Sequence, residues 1–329
     1  MKELLIIGVD VSKSTLDIYL KPLETSVQIG NNIAGFKEWL TLLNAQRPAT
    51  MGVLVIMEHT GQYSCRFEKF LISKSIDYCK VAALQIKRSL GVTRGKSDKI
   101  DAQRIAEYAW LRRDILIADP VIEPAISKLK SLLSLRAKLV RDRSGYISRL
   151  KEMIVCGTAI PGDIEVKVQK QIIKVLATEI SRVETEIKSL ISANTQLSAT
   201  CELLKSIKGV GWVIAAYMIS CTANFTRFAN ARKFNCYAGL APFKYQSGTS
   251  INGRSRVSHL ANKEIKTLLN LAACCAIRCD EELKQYYKKR VGEGLRKMSC
   301  INIIRSKIVA RMFAVIKRKS PYQVLQIAA

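Results

Sequence analysis

Two apolar runs end on an acid, and this pattern constrains the fold more than any other feature of the chain. Residues 4–10 read LLIIGVD and residues 51–58 read MGVLVIME; neither run carries a charge before its last residue. Both are far shorter than the roughly 20 apolar residues that a bilayer-spanning helix needs. Both have the length of a strand buried on its two faces. Such strands need helices above and below them.

The signals between these runs keep a consistent order. Residues 15–21 (TLDIYLK) alternate as a second strand and 25–31 (TSVQIGN) read as a third. Residues 35–44 have helical spacing, 51–58 form a fourth strand, 63–73 a helix, 77–83 (DYCKVAA) a fifth strand, and 100–110 a further helix. Three adjacent antiparallel-type strands, then strands separated by helices, is the order of a ribonuclease H-like α/β fold. In that sheet the first and fourth strands are neighbours, which sets Asp10 beside Glu58 at the strand tips. Asp98 and Asp101 are three apart at a helix start and share a face. Four clustered carboxylates repel one another, and divalent cations relieve that repulsion. Donors that are all oxygen favour Mg²⁺ or Mn²⁺ over zinc. Each acid alone also has a plainer role, Asp10 as a turn residue and Asp98 and Asp101 as acids at a helix N-terminus.

Beyond residue 115 the pattern becomes helical, giving an α/β plus α organisation of 1–115, 116–195 and 196–329. Ile173, Leu176, Ile180, Val183, Ile187 and Leu190 follow steps of three and four, a coiled-coil seam. Leu132, Leu139, Tyr146, Leu150 and Met153 keep related spacing before a CGTAIPGD turn at 156–163. The two stretches predict an antiparallel helical hairpin whose seam either pairs protomers or packs the hairpin on itself. LLKSIKGVGWVIAAYMIS at 203–220 has the form of a helix-hairpin-helix. There Lys208, Gly209 and Gly211 would approach a DNA phosphate, unless the glycines serve only a tight helix–helix turn. Further helices are expected at 228–239, 256–279, 281–290 and 298–317. QSGTSINGRS at 246–255 reads as a turn-rich loop.

Composition narrows the partner. The 53 Lys and Arg against 27 Asp and Glu give a formal charge of +26, spread along the whole chain. A long polyanion suits that distribution better than a membrane surface does. No apolar run reaches membrane-spanning length, and residues 1–14 lack the form of a secretory signal, so no membrane and a cytoplasmic location are expected. None of the ten cysteines forms a C-x-x-C pair and only two histidines exist. Zinc spacing is therefore absent, and the cysteines are expected to be reduced and structural.

Taken together, GVDVSKSTLD (8–17), EHTGQY (58–63), SDKIDAQRIAEY (97–108), SIKGVG (206–211), FNCYAGLAPFKYQSG (234–248) and GRSRVSH (253–259) resemble the DEDD transposases in order and spacing. That group includes the Piv DNA invertases and the recombinases of insertion-sequence family 110. The resemblance implies a RuvC-like N-terminal domain, a coiled-coil connector and a mainly helical transposase domain. It implies Asp10, Glu58, Asp98 and Asp101 as metal-binding acids and Ser247 as a nucleophile that forms a 5′-phosphoserine link, with Thr249 and Ser250 as close alternatives. Arg254 and Arg256 would bind the phosphate. It further implies DNA and a structured bridge RNA as partners. Because Ser247 is far in sequence from the acids, a homodimer or homotetramer in which the two halves meet across protomers is expected. Two positions depart from the family pattern: His59 follows Glu58 where a small residue is usual, and His259 stands where a basic residue is common.

Three other readings compete. In a hydrolytic RuvC-like nuclease, water attacks and Ser247 is structural. An actin-like or sugar-kinase ATPase shares the GVDVSKS hairpin but needs a second glycine-rich phosphate loop, and no suitable one is found. An inactive DNA- or RNA-binding protein would tolerate loss of Asp10.

Overall fold

The computed structural model describes residues 4–48, 50–59, 61–89, 98–248 and 251–323. The chain divides into two compact units, one ending at Val121 and the other beginning at Ile122.

In the first unit β1 (Leu4–Val11), β2 (Thr15–Lys21), β3 (Thr25–Gly30), α1 (Ile33–Gln46), β4 (Gly52–Glu58), α2 (Cys65–Ser73), β5 (Asp77–Val81), α3 (Ala83–Ser89) and α4 (Asp98–Trp110) follow one another. The sheet order is β3-β2-β1-β4-β5. β1 runs antiparallel to β2 and parallel to β4, so the first and fourth strands are neighbours as expected. The Ser12 hydroxyl accepts the Thr15 amide at 2.9 Å and closes the β1–β2 hairpin. The Asn32 side chain accepts from Gly35 N and caps α1.

The alternation of β1 sorts two cores onto the two faces. Leu5, Ile7, Val9 and Val11 pack with Phe36, Trp39 and Phe67, whose rings meet at 5.1–5.2 Å. Ile6 faces the other way, with Leu54, Ile56, Val81, Ile86, Ile105 and Tyr108. Gly8 lies on this second face. A Cβ there would stand 2.3 Å from the Ala102 carbonyl oxygen and 2.4 Å from the Ala106 nitrogen, so only glycine lets α4 rest directly on β1.

The second unit begins with α5 (Pro124–Val155), α6 (Ile164–Ser192), α7 (Thr195–Lys205), α8 (Trp212–Thr222) and α9 (Ala231–Tyr237). It continues with β6 (Pro242–Ser247), β7 (Ile251–Val257), α10 (Lys263–Cys279), α11 (Glu281–Gly292) and α12 (Lys297–Arg318). α5 and α6 form the expected antiparallel hairpin: Arg136 pairs with Glu184 at 2.6 Å and Gln169 contacts Met153 at 3.0 Å. Along the seam, Ile180 and Ile187 are buried, while Ile173, Leu176, Val183 and Leu190 are half-buried. Its base, with Ile126, Leu129, Leu133, Ile187 and Ile191, joins the core of the unit.

The segment expected as a turn-rich loop running into a helix from 256 is a two-stranded antiparallel ribbon, with Phe243 opposite Arg256 and Tyr245 opposite Gly253. The helix begins only at Lys263, capped by Asn262. Among the described residues no helix is long and apolar enough to cross a membrane. All ten cysteines are free.

Candidate active site and nucleic-acid interface

The parity of β1 and β4 places two acids on one face. Asp10 is two residues beyond Gly8, and Glu58 two beyond Ile56, so both point to the side that α4 covers. Parallel pairing runs through Val9 and Met57, the residues just before these acids. On α4, Asp98 precedes Ala102 by one turn and Asp101 is its neighbour; the contact at Gly8 therefore fixes where this first turn lies relative to Asp10.

The electrostatics record the proximity. Burial, first, and then Asp98, Asp101 and Glu58 push the Asp10 carboxyl up from 3.8 to about 6. Asp10, Glu58 and Asp101 are half-buried and Asp98 is exposed. Asp101 is held by Arg104 at 2.9 Å.

Sequence reasoning passed over a fifth acid. Asp17 stands directly across the ladder from Asp10 and is 8% exposed. Paired residues share a face, so it points to the same side. Gln28 Nε2 donates to its two oxygens at 3.0 and 3.3 Å, which satisfies a carboxylate that would otherwise be costly to bury.

The donor chemistry suits a hard divalent cation: every group is a carboxylate oxygen, and their mutual repulsion is what such an ion offsets. Among the described residues, no three His, Cys, Asp or Glu side chains are drawn together tightly enough to enclose an ion. His59 is exposed, and its backbone amide donates to the Val81 carbonyl at 3.1 Å.

The other predicted residues lie in the second unit. Ser247 is the last residue of β6, while Thr249 and Ser250 lie outside the described residues. Arg254 and Arg256 sit two apart on β7, both exposed. With Phe243, Lys244, Tyr245, Ser258 and other residues they line an open cavity of about 790 Å³. Phe243 is 50% and Tyr245 68% exposed, and no acid occurs between 242 and 257. Aromatic faces among cations are the chemistry of a nucleotide-binding surface.

The predicted phosphate turn separates into two kinds of residue. Gly209 has φ +91°, and a Cβ there would stand 2.6 Å from the Ala272 carbonyl oxygen. Helix packing therefore accounts for this glycine by itself. Lys208 and Gly211 are exposed, with Gly211 as the N-cap of α8.

Residues 7–155 match a DEDD transposase family of IS110 type, and residues 201–288 match the "Transposase IS116/IS110/IS902 family". The pilin gene-inverting protein of Moraxella bovis is 26% identical over 322 residues, covering 96% of this chain and 97% of its own. The transposase for insertion sequence element IS1111A of Coxiella burnetii is 23% identical over 316 residues, covering 84% of this chain and 79% of its own.

Proposed function

Because the chain belongs to the IS110/IS116/IS902 transposase family, with the two matched regions taking in well over half of it, and is a DNA recombining enzyme, we propose how its residues divide the work. Asp10, Glu58, Asp98 and Asp101 form the catalytic acid cluster of a RuvC-like domain. The observation that carries this is the joint occurrence of the four: two strand tips on one face, one helix turn beside them, and an Asp10 carboxyl that burial first, and then the three other acids, raise to about 6. These acids would hold Mg²⁺ or Mn²⁺, which when bound neutralises charge at a scissile phosphate.

Ser247 is the nucleophile. Its oxygen attacks phosphorus and loses its proton; the bond from phosphorus to the 3′ oxygen breaks, and that oxygen takes up a proton. The product is a 5′-phosphoserine link that keeps the bond energy for rejoining. Arg254 and Arg256 neutralise the phosphate, and Lys208 with the Gly211 turn grips the backbone further along. A homodimer or homotetramer, with residues 116–195 as the coiled-coil connector, is the working assembly. The net charge of +26 and the family resemblance support a structured bridge RNA as a second polyanionic partner.

The test is a covalent adduct. The protein with end-labelled DNA and Mg²⁺ should give a protein-bound label in a denaturing gel, lost in Ser247→Ala and kept in Ser250→Ala. An adduct that survives Ser247→Ala, or cleavage with no adduct at all, overturns the assignment. Site-specific inversion is a second reading of the outcome. It is favoured by the nearly end-to-end match to the Moraxella protein, and recombination of plasmids with inverted against direct sites separates it from transposition.

A further inference from the structure

A buried arginine without a counter-charge marks a second site. Arg305, on α12, is 5% exposed. Its guanidinium donates to the Asn270 Oδ1, and at 3.4 Å to the Asn302 Oδ1, both neutral acceptors. Among the described residues its Nε has no hydrogen-bond partner and no carboxylate forms an ion pair with it. The same helix shows the alternative: Arg311, also well covered, is clamped by Asp280 at 2.7 Å and Glu282 at 2.6 Å.

Arg305 forms part of the wall of a cavity of about 330 Å³, together with Lys263, Lys266, Thr267, Asn270 and Met298. The lining residues on α10 fall at 263, 266, 267 and 270, one face of that helix. Three cations and no acid line the cavity. Lys266 is pushed below its ordinary pKa by burial and by the nearby Arg305. Asn302 is fixed by donating to the Leu240 carbonyl at 2.8 Å, so its oxygen stays turned toward Arg305. Burying like charges together is unfavourable unless an anion joins them, and a guanidinium fork with two ammonium groups suits a tetrahedral oxyanion.

We propose that the groove between α10 and α12 binds a backbone phosphate of the DNA substrate, with Arg305 at its floor and Lys263 and Lys266 at its rim. The proposal rests on DNA being the partner, but not on the acid cluster or on Ser247. It adds a phosphate anchor apart from the β6–β7 ribbon, one that fixes register without reading sequence.

The experiment is equilibrium binding of the full chain to a mixed-sequence duplex in EDTA, from low to moderate salt. Every duplex phosphate that the protein neutralises adds about 0.9 to the steepness of log K against log salt. The site neutralises one phosphate, so the Lys263→Ala/Lys266→Ala double variant should make the dependence shallower by up to about 0.9, and Lys266→Ala by a part of that. Affinity should fall several-fold, equally for unrelated sequences. Arg305→Lys keeps the charge and loses the fork, and should weaken binding with little change in slope; its circular dichroism checks the fold. Lys205→Ala, an exposed residue paired with Glu202, is the control and should change neither. A double variant with wild-type slope and affinity overturns the site. So does an anchor for small anions only, in which inorganic phosphate raises the melting temperature of the wild type, but not of the double variant, while duplex binding is unaltered. If the wild type fails to bind duplex at all, the DNA reading itself falls; if it binds and forms the serine adduct while the variants match it, only this site falls.

Discussion

Asp10 sits where burial and neighbouring acids favour its protonated form. Its folded carboxyl is raised to about 6 from 3.8, so between those values the folded protein keeps a proton that the unfolded chain has lost. The acid form costs the fold nothing extra below about pH 4; stability is lost as pH rises through 6, and the cost is complete above it. Asp10→Asn removes that cost. The variant should be more stable than the wild type at pH 7 by on the order of 1 kcal/mol, a figure reduced for the half-exposed position, and the gap should close near pH 4. Chemical denaturation at pH 4, 5, 6 and 7 measures it; a gap that does not change with pH contradicts the arrangement. The same variant should lose strand transfer and keep its DNA affinity. Asp10 and Glu58 were legible in the sequence because each ends an apolar run. Asp17 was not: in TLDIYLK it falls on the polar stripe with Tyr19, which alternation assigns to solvent. Only the helix lying over Gly8 turns that stripe inward, and no local pattern announces a helix some 90 residues further along the chain.

At the scale of elements, the contact between α4 and β1 positions the candidate site. Gly8→Ala would drive a methyl into the Ala102 carbonyl and the Ala106 backbone. A cost of about 1–3 kcal/mol is expected from overpacking alone. Because α4 carries Asp98 and Asp101, the variant should also show a smaller rise in melting temperature with Mg²⁺ than the wild type. Equal shifts in the two proteins would detach the helix from the site. The five strands of the first unit and their order could be read in advance, since each buries at least one apolar face. The α5–α6 hairpin was legible for the same reason, through its steps of three and four. The β6–β7 ribbon was not. Phe243 to Gln246 on one strand and Arg254 to Arg256 on the other are exposed, so no hydrophobic alternation marks a buried side. Its turn-forming residues were visible and its strands were not. The helix expected from 256 failed for a related reason: the stop at Asn262 is set by the cap, not by the composition before it.

For the whole molecule, the division at Val121 and Ile122 separates an acidic cluster from a second unit rich in cations. The tip of the α5–α6 hairpin exposes Val155 at 85%, Ile160 at 65% and Ile164 at 72%, apolar surface gathered at one turn. If self-association uses this tip, Val155→Glu with Ile164→Glu should shift sedimentation toward the monomer, leave the circular dichroism unchanged and lower recombination more than DNA binding. A sedimentation profile identical to the wild type assigns the assembly to another surface. The two ribbon strands, with Lys244, Arg254 and Arg256 in the open, offer trypsin exposed bonds in the native protein. A bound oligonucleotide would guard those bonds, so the fragment pattern with and without DNA becomes a footprint read from the protein's side.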